Sequence, residues 1–305
     1  MKGETKQTWT TFVQVRNSSL VTYDRPDDGF RCPSWRKPPQ RKGYSGEVTA
    51  STQKRITTAV DIFLQLAPER EIYNPVTKRR QKFKLSFITL TVSAHDPIEH
   101  SEGHKALKVW LQHFKRPWHR RKMSESMKTY IWKAELQERG QIHYHVITNA
   151  WLHLAEIRRV WNDLQKARGW TQDYFAQHRS HDPNSTDVHS IYKIKDVGRY
   201  LSKYIGKQQY KASPANPEAG FPALMVPIAL DAKVWGCSED LKGKKRFSCE
   251  MDKWTFLSMK SAEESDILRK FETEHCIFYD LKDKNYKPEN LLSVTNSNLY
   301  QSWKK

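Results

Sequence analysis

The 305 residues include 52 Lys and Arg against 34 Asp and Glu, for a formal net charge of +18 and a pI near 9.6. A chain this long buries a sizeable core, and its basic excess points to a polyanionic partner, nucleic acid before membrane. Four scattered cysteines with no Cys-x-x-Cys pair argue against a disulfide scaffold or a structural zinc site, no apolar run approaches a membrane span, and the polar N-terminus has no signal-peptide core.

The charge is uneven. Residues 1–80 carry 15 basic and 8 acidic side chains and 81–210 carry 22 and 12, whereas 211–305 are nearly balanced at 15 and 14. The polyanion site is therefore expected in the first 210 residues. In chain order, residues 1–50, rich in Pro, Arg, Lys and Ser, read as a basic irregular arm. Lys54 to Leu66 spaces Ile56, Val60, Phe63 and Leu64 helically, and Pro68 closes it. Asn74-Pro75 marks a turn just before the basic run Lys78, Arg79 and Arg80. Leu85 to Val92 is β-branched and aromatic and predicts a buried central strand.

His104 to Phe114 predicts a helix with Leu107, Trp110, Leu111 and Phe114 on one face, ended by Pro117. Two strands follow, Thr129 to Gln137 and Gln141 to Thr148, joined at Glu138-Arg139-Gly140. Leu154 to Ala167 is amphipathic, and Gly169 stands where a helix stop is expected. A strand over Val188 to Ile194 and a helix over Val197 to Lys207 complete the order β-α-β-β-α-β-α. That order predicts an α+β fold, a central antiparallel sheet with helices on one face. Residues 211–220 read as a Pro/Ala linker, and no motif is legible beyond it. No Gly-x-x-x-x-Gly-Lys-Ser/Thr occurs, so neither a nucleotide cofactor nor an ATP-driven helicase is expected.

Two segments carry chemistry. His143 and His145 stand at i and i+2 of a strand, so both imidazoles face one side. A three-residue loop with Gly140 left-handed would put Glu135 opposite His143; a two- or four-residue loop would put Leu136 there. Two imidazoles and a carboxylate suit a divalent ion with open positions, Mg²⁺ or Mn²⁺, with Mn²⁺ the tighter binder. Tyr200 and Tyr204 stand one helical turn apart beside Lys203, which favours a phenolate or neutralises a phosphate. Lys115, Arg116, Arg120, Arg121 and Lys122, interleaved with Trp118, suit a DNA backbone with a stacked base. Lys207 adds charge to the tyrosine helix.

In order, Phe87-Ile88-Thr89-Leu90-Thr91, the run Glu135 to His145 and the run Tyr200 to Lys207 resemble the HUH endonucleases. Within that superfamily they resemble the two-tyrosine rolling-circle replication initiators of the gene-A type from small single-stranded-DNA phages. The resemblance implies an RRM/ferredoxin-like HUH domain over 51–210, flanked by the arm at 1–50 and an accessory region at 211–305. It implies a metal-dependent, site-specific endonuclease and strand-transferase acting on single-stranded or hairpin origin DNA. Tyr200 or Tyr204 would attack to leave a 5′-phosphotyrosine and a free 3′-OH, with Tyr200 favoured as the first to cut. Rejoining would need no ATP, and unwinding and extension would fall to a host helicase and polymerase in the host cytoplasm. A transposase of the same superfamily is the alternative within the class, and a non-catalytic nucleic-acid-binding module the alternative outside it.

Overall fold

The structure, a computed structural model, describes residues 9–26, 46–74, 77–116, 124–137, 139–191, 210–212, 225–274, 276–283 and 286–305. It forms two compact units: Tyr44–Phe63 with Ala67–Gly243, and Met1–Gly43 with Leu64–Leu66 and Lys244–Lys305. Among the described residues, no helix is long and apolar enough to cross a membrane.

The chain opens with two strands, β1 (Trp9–Val15) and β2 (Ser19–Pro26), paired antiparallel. This corrects the irregular arm expected over residues 1–50. Val13, Val15 and Leu20 are fully buried and Phe12 stacks on Tyr23, but the strands that flank this hairpin come from the far end of the chain. A helix, α1 (Ala50–Leu66), follows, with the Thr49 hydroxyl accepting from the Thr52 N–H at 3.2 Å to cap its first turn.

A two-stranded ribbon, β3 (Arg70–Asn74) and β4 (Arg79–Phe83), precedes β5 (Ser86–Thr91), helix α2 (His100–Lys115), β6 (Tyr130–Leu136), β7 (Ile142–Thr148) and helix α3 (Leu154–Lys166). After α3 come a short helix, α4 (Gln172–His178), and β8 (Thr186–Ser190), which replaces the strand expected over 188–194. A small pair, β9 (Tyr210–Ala212) and β10 (Met225–Pro227), precedes β11 (Trp235–Cys237). The larger unit's main sheet runs β11-β6-β7-β5-β8 with every pairing antiparallel. One edge strand, β11, comes from the region expected to be accessory, so the sheet draws on sequence beyond residue 210.

In the smaller unit, β12 (Ser248–Glu250), helix α5 (Lys253–Glu264), β13 (Leu268–Glu272), β14 (Ile277–Leu281) and helix α6 (Val294–Lys304) complete a sheet of order β12-β1-β2-β14-β13. Its core gathers Val13, Val15, Leu20, Phe247, Met259 and Tyr300.

Helices α2 and α3 pack on one face of the larger sheet. Leu107, Trp110, Phe114, Ile157 and Trp161 meet Ile88 and Leu90 of β5, Trp132 of β6, and Tyr144 and Val146 of β7. The Trp161 indole N–H donates to the Thr91 carbonyl at 2.8 Å, which sets the height of α3 on β5. The opposite face carries the alternate residues, Thr89, Lys133, Glu135, His143 and His145.

The register of β6 against β7 depends on their connection. Gly140 sits at φ +84°, its N–H bonds the Gln137 carbonyl at 2.8 Å, and the Gln137 N–H bonds the Gln141 carbonyl at 2.7 Å. Glu135 thereby pairs with His143, and Leu136 with Ile142. Gln141 is fully buried and donates to the Ala94 carbonyl at 2.8 Å, locking the start of β7. A side chain at φ +84° is strained, so Gly140→Val is expected to cost roughly 1–2 kcal/mol of stability and Gly140→Asn clearly less, measured by urea denaturation.

Candidate metal centre

Three side chains converge on the sheet face away from α2 and α3. Glu135 Oε2 lies 3.3 Å from His145 Nε2 and 3.5 Å from His143 Nε2, and the two Nε2 atoms lie 3.1 Å apart. Among the described residues, these form the one group of three acidic, His or Cys donors close enough to share a metal ion. Cis donors at the usual bond length of about 2.1 Å stand about 3 Å apart, so the cluster fits a divalent ion without rearrangement. Its nitrogen and oxygen donors suit a borderline or hard cation more than a thiophilic one.

Two neighbours complete the centre. The Lys133 ammonium donates to Glu135 Oε1 at 2.5 Å, and the lysine side chain is only 1% exposed. One carboxylate oxygen is thus engaged by Lys133 while the other turns toward the imidazoles. Thr89 Oγ1 lies 3.2 Å from His145 Nδ1. The contact between Thr89 and Nδ1 orients the ring with Nε2 toward the cluster, where it donates to Glu135 without metal and would give its lone pair to a bound ion. Register explains the company: Lys133 pairs with His145 and with Trp235, and His145 pairs with Thr89, so one row crosses four strands.

Burial shapes the protonation states. Burial by itself pushes the Glu135 carboxyl up, but hydrogen bonds from His143 and His145 and the Lys133 charge outweigh it and hold Glu135 well below the usual carboxylate range. Burial lowers the pKa of His145 despite the opposing carboxylate. The centre is therefore an ionised carboxylate beside an imidazole biased to neutrality, the forms in which both bind metal.

Tyr144, between the histidines, points the other way. It is fully buried among Trp132 and Trp161, whose ring centroids each lie 6.3 Å away, and burial pushes its phenol up. It is a core residue, excluded from chemistry at the cluster.

Of the sequence-predicted residues, the structure brings Glu135, His143 and His145 together. Lys115 and Arg116 end α2 on the opposite side of the sheet, with Lys115 Nζ 4.8 Å from the centre of the Tyr130 ring, so they do not join this cluster. Trp118, Arg120, Arg121, Lys122, Tyr200, Lys203, Tyr204 and Lys207 lie outside the described residues. Sequence reasoning missed Lys133 and Thr89. Period-two alternation from Glu135 pointed at Lys133, but nothing local marked that lysine as buried.

An antiparallel sheet carrying a two-histidine, one-carboxylate cluster on the face away from α2 and α3 defines a class of candidate metal-dependent proteins. Residues 85–209 match the family model for replication-associated proteins of the ORF2 and gene 2 protein type, which supports the resemblance to rolling-circle replication initiators and spans β5, the metal cluster and the two tyrosines. No curated protein and no solved structure matches the chain significantly.

Calorimetry with Mn²⁺ should show one site, lost in His143→Ala and His145→Ala. Binding should weaken as the pH falls below about 6.5, because protons then compete for the His145 imidazole while Glu135 stays ionised. Lys133→Met leaves the Glu135 carboxylate uncompensated, so the metal-free protein should lose roughly 3–5 kcal/mol. Because an added cation replaces the missing ammonium, Mn²⁺ should raise the melting temperature of this variant more than that of the wild type. Equal increments would show that Lys133 does not balance this carboxylate.

Proposed function

We propose that the chain is a rolling-circle replication initiator that nicks one DNA strand at an origin and later rejoins it. The observation that carries this reading is the Glu135–His143–His145 cluster, held in register by the hairpin inside the matched segment. A bound divalent ion, Mg²⁺ or Mn²⁺, would supply Lewis-acid polarisation of the scissile phosphate. His143, His145 and Glu135 Oε2 would hold the ion, Lys133 fixes Glu135, and Thr89 orients the His145 ring.

The chemical step is transesterification. The phenolic oxygen of Tyr200 or Tyr204 bonds to phosphorus, and the bond from phosphorus to the 3′ oxygen breaks. The phenol proton leaves to solvent or a nearby base, and the 3′ oxygen takes one up. The product is a 5′-phosphotyrosine and a free 3′-OH that a polymerase extends. The number of phosphoester bonds is unchanged, so the reverse attack rejoins DNA without ATP. A free phenol titrates near pH 10, and Lys203, three residues after Tyr200 in the sequence, would favour the phenolate. Two tyrosines allow one to hold the old 5′ end while the other cuts the regenerated origin. Lys115, Arg116, Trp118, Arg120, Arg121, Lys122 and Lys207 are proposed contacts to the DNA outside the cluster.

An origin oligonucleotide incubated with Mn²⁺ should yield a covalent protein–DNA adduct on a denaturing gel. Tyr200→Phe with Tyr204→Phe should abolish it, and an adduct surviving in that double variant would sink the nucleophile assignment. His143→Ala should lower adduct formation by at least about 10²-fold while leaving DNA binding in EDTA intact.

A further inference from the structure

A second site lies away from the metal centre. In the larger unit, the β3–β4 ribbon, the start of β5 and helix α3 enclose a cleft of about 880 Å³. That is toward the upper end of the roughly 300–1,000 Å³ usual for ligand clefts.

Both walls are fixed. Arg70 donates to both Glu125 carboxylate oxygens, one at 2.6 Å, and to the Asn149 carbonyl at 3.1 Å, while its guanidinium lies 5.2 Å from the Phe83 ring centre. The same carboxylate accepts from the Trp151 N–H at 2.8 Å, so ribbon and Trp151 share one anchor. Across the cleft, Arg158 donates to Asn184 Oδ1 at 2.5 Å and to Thr186 Oγ1 at 3.4 Å, which holds its guanidinium in place.

The chemistry of the lining is that of a nucleic-acid site. Phe83, Trp151 and His153 supply aromatic surface, and Arg158 and Lys166 supply cations. The lining acids are engaged: Asp163 with Arg159 at 3.4 Å and Asp182 with Asn162 at 2.5 Å. Arg79 pairs in register with Asn74 and so shares the ribbon face whose Asn74, Gln81 and Phe83 line the cleft. The other ribbon face exposes Tyr73, Arg80 and Lys82. Aromatic rings interleaved with cations bind single strands by stacking and backbone contact.

We propose that this cleft holds single-stranded DNA at a distance from the scissile phosphate, with a base against Trp151 and phosphates on Arg79, Arg158 and Lys166. It rests on the DNA-cutting reading above. The distance follows from β5, whose Ser86 lines the cleft while its Thr91 pairs with His143. Thr89, which pairs with His145, and Thr91 stand three and five residues from Ser86, so about 10 to 17 Å separates the two levels along β5, and the cleft opens on the α3 side while the donors face away from it. A strand engaging both must cross from one face of the sheet to the other, so the cleft contributes only when the DNA is long enough to reach it.

The test uses the full chain in EDTA, so that no cutting occurs. Arg79→Ala with Lys166→Ala replaces two exposed side chains, and circular dichroism confirms the fold. Fluorescence anisotropy should show a single strand of about 20 nucleotides binding roughly 5- to 30-fold more weakly to the double variant, with the salt dependence flattened by about 1.4 in log–log slope. A strand of about eight nucleotides centred on the cut, within the span of one single-strand site, should bind both proteins alike. In parallel, 5-iodouracil placed along the longer strand should cross-link to the peptide holding Trp151 and His153, and the double variant should lose that cross-link. Unchanged affinity for the long strand, cross-links confined to other peptides, or equal weakening for the short strand would overturn the proposal. A wild-type protein that binds neither strand would overturn the DNA-cutting reading itself, and binding of only a free mononucleotide would make the cleft a small-molecule site instead.

Discussion

The pairing of β6 with β7 is the constraint on which the metal centre depends. Side chains alternate along a strand, so a slip of one residue moves every side chain to the other face. A loop shorter or longer by one residue would present Leu136 to His143 and bury Glu135 in the apolar layer under α2. Gly140 prevents this by taking a conformation that few other residues adopt without strain, at φ +84°. Gln141 anchors the start of β7 from the other side, its amide donating to the Ala94 carbonyl. A backbone dihedral thus decides whether three donor atoms meet.

Once they meet, the cluster has an electrostatic problem that Lys133 resolves. A buried carboxylate is costly when unpaired, and the hydrogen bonds from the two imidazoles leave its charge to be balanced. The buried ammonium at 2.5 Å does so. Because Lys133 occupies Oε1, Oε2 is turned toward the imidazoles without any ion to organise it. The centre is therefore set before metal arrives, and binding need not draw on its free energy to assemble the ligands. The same ammonium repels an incoming cation, which tempers affinity and favours donors such as imidazole that do not rely on anionic charge.

Much of this centre was legible in the sequence because its determinants are local. The His-x-His spacing, the glycine and the glutamate eight residues before His143 lie within eleven positions, and strand periodicity with one turn rule connects them. Lys133 was two residues from Glu135 on the same face, yet its ladder partner beyond β6 is Trp235 of β11, which returns about a hundred residues later, so nothing local marked it as buried. The strands in 9–26 were missed for the same reason, since β12 and β14 come from the far end of the chain. The cleft was illegible because its walls join a ribbon near residue 80 to a helix near 160. The tyrosine helix rests on sequence spacing alone, outside the described residues.

Tyr144 shows how the two faces of β7 are coupled. The residue between two strand histidines must point into the core, and in the resembling family that residue is hydrophobic. Tyrosine is larger than an aliphatic side chain and brings a hydroxyl that finds no hydrogen-bond partner among the described residues. Space for it comes from Gly103 in α2, where an added Cβ would stand 2.8 Å from the phenol oxygen and 2.9 Å from Ile142. A glycine inside a helix costs about 1 kcal/mol relative to alanine, and this one is explained by the ring it admits. Replacing Gly103 with a larger residue would push on Tyr144, hence on the strand that carries His143 and His145. The metal centre is thus supported from beneath by a residue of α2 that touches none of its ligands.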